Sequence, residues 1–161
     1  MTQYCPAPSA QRQQMAKFIC RSLEAASPGS CTTAPCSNIF DDVPNTNIFC
    51  SDIEALYTLG LASGCQINPL LFCPNDFIQR QHMTKFVCLG MEEVNPGSCP
   101  TAACAGIFTD VDLANPFCPF IEGLYNAGVA NGCTANQFCP ELMVTRDQMA
   151  KFLINGFNLT L

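Results

Sequence analysis

Apolar residues recur along the chain in two alternating patterns. The longer one, Met15, Phe18, Ile19 and Leu23, returns as Met83, Phe86 and Val87, and its helical spacing predicts a buried stripe. Ahead of a third copy, Thr145-x-x-Gln148 has capping-box spacing, which marks a helix start. The shorter pattern, Ile53, Leu56 and Tyr57, predicts a shorter helix. Its start is signalled by Ser51-x-x-Glu54, and in the sister copy by Pro119, which suits a first helical position. Gly60 and Gly128 offer the left-handed residue that ends it. Pro28-Gly29 and Pro96-Gly97 stop the long helices. The expectation is an all-α chain of helices of roughly ten to sixteen residues, with short extended pieces at Ile39-Phe40-Asp41-Asp42-Val43.

These patterns belong to an internal repeat. Tyr4-Cys5-Pro6, Phe72-Cys73-Pro74 and Phe138-Cys139-Pro140 each lead to an arginine (Arg12, Arg80, Arg146) and then to Met-x-Lys-Phe with Lys17, Lys85 and Lys151. We call this the second half-motif. The first half-motif runs from Ile39-Phe40-Asp41-Asp42-Val43 through Cys50 and Ile53-Glu54-Ala55-Leu56-Tyr57 to Gly64-Cys65. It recurs from Ile107 to Gly132-Cys133 at a constant offset of 68 residues. The order along the chain predicts a single domain, 1–161, of two and a half units: 1–37 a second half-motif only, 38–105 and 106–161 full repeats.

Phe108-x-Asp110-Val111, Leu124-Tyr125 with Gly128 and Gly132, Phe138-Cys139-Pro140 and Val144-Thr145-Arg146-Asp147-Gln148-Met149-Ala150-Lys151-Phe152 together resemble the S-layer homology motif, in a cysteine-bearing bacterial variant. The resemblance spans nearly the whole chain and is nearest from Phe108 to Phe152. It implies helix-loop-helix units packed around a pseudo-threefold axis, and grooves between units that bind cell-wall polysaccharide. The family's signature arginine falls on Arg12, Arg80 and Arg146, of which only Arg146 follows a threonine, and no tryptophan follows Asp-Val.

Thirteen cysteines in 161 residues point to an oxidising compartment. They fall at six repeated offsets, twice over, plus Cys139. The simplest pairing joins Cys65 to Cys73 and Cys133 to Cys139, then Cys20 to Cys31, Cys36 to Cys50, Cys88 to Cys99 and Cys104 to Cys118. A rival scheme pairs Cys31 with Cys36 and Cys20 with Cys50. Either scheme leaves Cys5 over, because the first half-motif that would supply its partner is not in the sequence. Cys5 is thus the candidate for an intermolecular disulfide, to a copy of the chain or to an upstream segment.

A net charge of −6 argues against a nucleic-acid surface, and no apolar run is long enough to span a membrane. The first residues lack the basic and apolar blocks of a secretory signal, as expected of a mature form, an excised piece or an expressed fragment. Six of the seven cations, Arg12, Lys17, Arg80, Lys85, Arg146 and Lys151, occupy repeat positions. They invite two readings: pairing with Asp41, Asp42, Asp110 or Asp112, or gripping an acidic cell-envelope glycan. No catalytic constellation emerges from Asp41-Asp42, Glu92-Glu93 or the single histidine, His82, and no metal or cofactor is expected. Asp110-Val111-Asp112 offers too few carboxylates for calcium. The expected function is an extracellular structural protein, a self-assembling subunit of a surface layer or filament, with a polysaccharide-binding anchor as the alternative.

Overall fold

The computed structural model describes residues 5–160. Tyr4, expected to match Phe72 and Phe138, lies outside the described residues. Five helices follow one another: α1 (Arg12–Ala26), α2 (Cys50–Thr58), α3 (Arg80–Val94), α4 (Cys118–Asn126) and α5 (Arg146–Phe157). Among the described residues there is no strand, only isolated bridges. The protein is all-α, as the apolar periodicity predicts, and the Ile39–Val43 segment is a turn rather than an extended piece.

The long helices α1, α3 and α5 pack on one another pairwise, and the short ones lie along two of them, α2 on α1 and α4 on α3. Met15, Ile19, Leu23, Met83, Val87, Met149 and Leu153 fill the centre. Phe18 was expected in this stripe but is 38% exposed, whereas its counterparts Phe86 and Phe152 are 6% and 5% exposed.

Start signals are only partly those read from the sequence. Gln11 and Gln14, and Thr145 and Gln148, form capping boxes, with Gln14 Oε1 accepting the Gln11 N–H at 3.2 Å. The Ser51-x-x-Glu54 box does not form. Helix α2 begins two residues earlier, after Phe49 rather than Ser51, and Asn47 Oδ1 accepts the Phe49 N–H at 2.8 Å; Asn115 does the same for Phe117. Glu54 is thereby free for another task. The ends follow expectation: Gly60 and Gly128 take φ of +73° and +72°, a left-handed backbone that a Cβ disfavours.

Three buried residues at the entries to the long helices close a ring of backbone hydrogen bonds. Ala10 N–H donates to Val144 O (2.8 Å), Val144 N–H to Ile78 O (2.8 Å) and Ile78 N–H to Ala10 O (3.0 Å). A second set repeats the theme: Arg12 N–H meets Asp76 O, Arg80 N–H meets Leu142 O and Arg146 N–H meets Pro8 O. The beginning of the described chain is therefore built into the same junction as its last helix.

The structure holds six disulfides: Cys20–Cys31, Cys36–Cys50, Cys65–Cys73, Cys88–Cys99, Cys104–Cys118 and Cys133–Cys139. This is the first of the two connectivities, and Cys5 is exposed with its thiol unpaired.

Candidate functional site

Two equivalent clefts form where the loop after a short helix faces the next long helix. One, of about 280 Å³, is lined by Arg12, Leu61, Ser63, Gly64, Lys85 and Phe86. Its counterpart, of about 330 Å³, is lined by Arg80, Val129, Asn131, Gly132, Lys151 and Phe152. His82 stands in the first where Gln148 stands in the second.

The arginines form the floors rather than the rims. Arg12 lies over the rings of Phe72 and Phe86, 4.8 and 5.9 Å from their centroids, and its Nε donates to Phe72 O at 2.9 Å. Arg80 repeats this against Phe138 and Phe152, at 4.6 and 5.8 Å, donating to Phe138 O and Asn131 O at 3.0 Å. Burial lowers the pKa of both, against the opposing pull of Asp76 and Asp42 on Arg12 and of Asp110 on Arg80. Neither guanidinium makes the carboxylate contact expected from the sequence. Asp42 instead accepts the N–H groups of Phe72 (2.8 Å) and Cys73 (2.7 Å), and Asp110 those of Phe138 and Cys139. Acid and arginine thus both hold each Phe-Cys-Pro turn, the acid through its N–H groups and the arginine through a carbonyl and the ring.

Lys85 and Lys151 line the two clefts, while Lys17 sits 5.7 Å from the Phe49 ring. Arg146 is half-buried, at the start of α5. His82 meets Phe117 edge-on at 4.8 Å. Burial, then the charges of Arg12 and Lys85, lower its pKa.

Sequence reasoning missed the part played by Glu54 and Glu122. Glu54 accepts the N–H groups of Ser37 (2.8 Å) and Ile39 (2.9 Å), and Glu122 those of Ala105, Gly106 and Ile107. Each fastens the loop ahead of its helix. The signal was present as an acid at the same offset in both copies. These acids converge with Cys36 and Cys50, or Cys104 and Cys118, but the sulfurs are bonded to each other and offer no thiolate to a metal. Asp112, the other acid weighed for calcium, accepts the Ala114 N–H at 2.7 Å.

A third position differs from the two clefts. Ala150 and Ile154 on α5 are half-buried, whereas their counterparts Ala16 and Cys20 on α1, and Thr84 and Cys88 on α3, are buried. Those four lie on the long helices that carry α2 and α4. Among the described residues no short helix lies along α5. What remains is an open, mainly apolar groove of about 260 Å³ lined by Phe18, Ala150, Leu153, Ile154 and Leu159, with Arg21 and Ser22 also on its wall.

Helices α1 to α4 are each stapled by a cystine, and two of the long helices, α1 and α3, carry buried arginines at their starts. Residues 107–150, which run from the Asp110 turn through α4 and the second cleft into α5, match the family model of the S-layer homology domain. That match covers about a quarter of the chain, and the chain as described is cysteine-rich with six disulfides. No curated protein matches the chain. Among the described residues no helix is long and apolar enough to cross a membrane.

Proposed function

We propose that the protein is an extracellular structural subunit of a cell-surface layer or filament, which assembles by receiving a first half-motif into the open position beside α5. The observation that carries this reading is the contrast at one repeat position: Phe86 and Phe152 are buried and Phe18 is exposed, beside a groove whose equivalents on α1 and α3 are covered. On this reading 1–161 is one domain of two and a half units about a pseudo-threefold axis, with 1–37 the incomplete unit and 38–105 and 106–161 the full ones. The ring through Ala10, Ile78 and Val144 supports that arrangement. Cys5 is the covalent link, since Cys73 and Cys139, its repeat counterparts, both end in disulfides to a first half-motif. Non-reducing electrophoresis and electron microscopy of native material test it. Disulfide-linked species that vanish in Cys5→Ser, together with sheets or filaments, are expected; a clean monomer with one titratable thiol overturns the reading.

The two clefts favour a second reading, a cell-envelope polysaccharide anchor. Each joins a lysine to the polar loop of the preceding unit, beside an arginine already committed to ring and carbonyl. Glycan contact then falls to Lys85, Lys151, His82 and Gln148, with Arg12, Arg80, Arg146 and Lys17 shaping the surface. Cell-wall pull-down that is lost in the Lys85→Ala, Lys151→Ala double variant supports anchoring, and retention unchanged by it counts against these clefts.

A further inference from the structure

We infer that the partner completing the third position is a first half-motif not already seated in another copy of 1–161, and that the seated segments 38–65 and 106–133 cannot fill it by exchange. The inference rests on the assembly reading above and deepens it by specifying the occupant.

The count decides the source. The chain has three second half-motifs and two first half-motifs. Both of the latter are seated, with Ile53, Leu56, Ile121 and Leu124 buried and each segment stapled at two cystines. Lending α2 or α4 to a neighbour opens one seat for every seat it fills. No apolar area is gained, so exchange has no driving force.

The filled seats also specify the occupant's chemistry. It is a peptide segment with a nine-residue helix like α2 and α4, bearing aliphatic residues at the positions of Ile53 and Leu56. Before the helix stands an Asn, because Asn47 donates to Gln13 Oε1 and Asn115 to Gln81 Oε1, both at 3.0 Å; Asp147 takes the place of those glutamines and is likewise an acceptor. An Asp at the position of Asp42 and Asp110 receives the Cys5 N–H, as those residues receive Cys73 and Cys139. After the helix comes Gly-Cys, whose sulfur bonds to Cys5. Ile154 stands where Cys20 and Cys88 stand, so α5 offers apolar contact but no second covalent tie.

A peptide of residues 106–133 carrying Cys118→Ser, with Cys133 held as its mixed disulfide with glutathione, is a direct probe. The Cys5 thiolate attacks the Cys133 sulfur, the Cys5–Cys133 bond forms, and reduced glutathione leaves, so one disulfide replaces another. Seating the peptide raises its effective concentration at Cys5. Mass spectrometry should show one peptide added per chain, at a rate on the order of tenfold above a scrambled peptide bearing the same cysteine. Ile154→Lys and Ala150→Glu, both at half-buried positions, should bring the rate down to that of the scrambled control. Equal rates for the two peptides in the parent chain, or no effect of either variant, overturn the inference. Disulfide-linked ladders built from 1–161 alone also overturn it while leaving the assembly reading standing. Specific peptide capture with no higher assembly of native material does the reverse.

Discussion

A guanidinium held between two phenylalanine rings, with its Nε–H on a carbonyl, has no substitute in an ammonium, which lacks both the flat face and the fixed donor direction. Arg80→Lys should therefore lose the Phe138 O bond and the stacking on Phe138 and Phe152, costing roughly 1–3 kcal/mol in urea denaturation with disulfides intact. Had the arginines served only as glycan contacts, stability would not move. The buried acids make a second case. Burial alone would raise the pKa of Glu54, but the N–H groups of Ile39 and Ser37 outweigh it and the value is lowered from 4.5. The pKa values of Glu24 and Glu92 are lowered too, by the N–H groups of Cys31 and Gly29 and of Gly97 and Cys99. A carboxyl whose folded pKa is depressed contributes stability that is complete above its unfolded pKa and lost as pH falls through the folded value. Urea midpoints should accordingly begin to fall below about pH 6.5, where the unfolded chain protonates His82 more readily than the folded one. They should fall further below about pH 4.5, as these carboxyls take up protons. Glu54→Gln should cost on the order of 1–3 kcal/mol at pH 7 and shrink the second of these declines. The arginine positions were legible in the sequence as a repeat. Their partners were not, because a backbone carbonyl and a neighbouring unit's ring leave no trace in residue type at a fixed spacing.

The long helices approach one another through a position that carries Ser22 on α1, Gly90 on α3 and Gly156 on α5. A Cβ on Gly90 would lie 2.8 Å from Phe157 Cζ, and one on Gly156 would lie 2.8 Å from Val87 Cγ1. Gly90→Leu should overpack this crossing and destabilise by roughly 1–3 kcal/mol, read as a fall in thermal midpoint. The helices themselves were readable, since the 3.6-residue period and the glycine stops are local properties. Two errors at this level share one cause. Ser51-x-x-Glu54 looked like a cap because spacing says nothing of competing donors, and Glu54 is drawn to the loop amides of Ser37 and Ile39. Phe18 looked like core because periodicity reports which face is apolar, not whether anything is packed on it.

At the scale of the whole molecule, the ring of Ala10, Ile78 and Val144 joins segments far apart in sequence. Val144→Pro removes one donor of the ring, and the proline ring disturbs the bridge between Ser9 and Thr145. Hydrogen exchange should then speed up across α5 while the amides of α3 facing α4 keep more of their protection, because α3–α4 packing does not pass through that donor. The recurrence of half-motifs was legible from sequence, but the closure of the ring was not, since it depends on main-chain groups common to every residue. The cystines add a contrasting feature: none spans more than 14 residues. Every covalent staple therefore lies within a local stretch, and the closure between Pro6–Ala10 and the Val144–Asp147 segment depends on non-covalent bonds. Under tension between the two ends, such a molecule parts first at that closure. Its cystine-bound loops stay shut, so the extension released is only the chain outside them. In single-molecule pulling, oxidised protein should show a short first lengthening at low force, and reducing agent should add length to later steps without changing the force of the first. The molecule is thus built to yield at a reversible seam before any of these covalent bonds is strained.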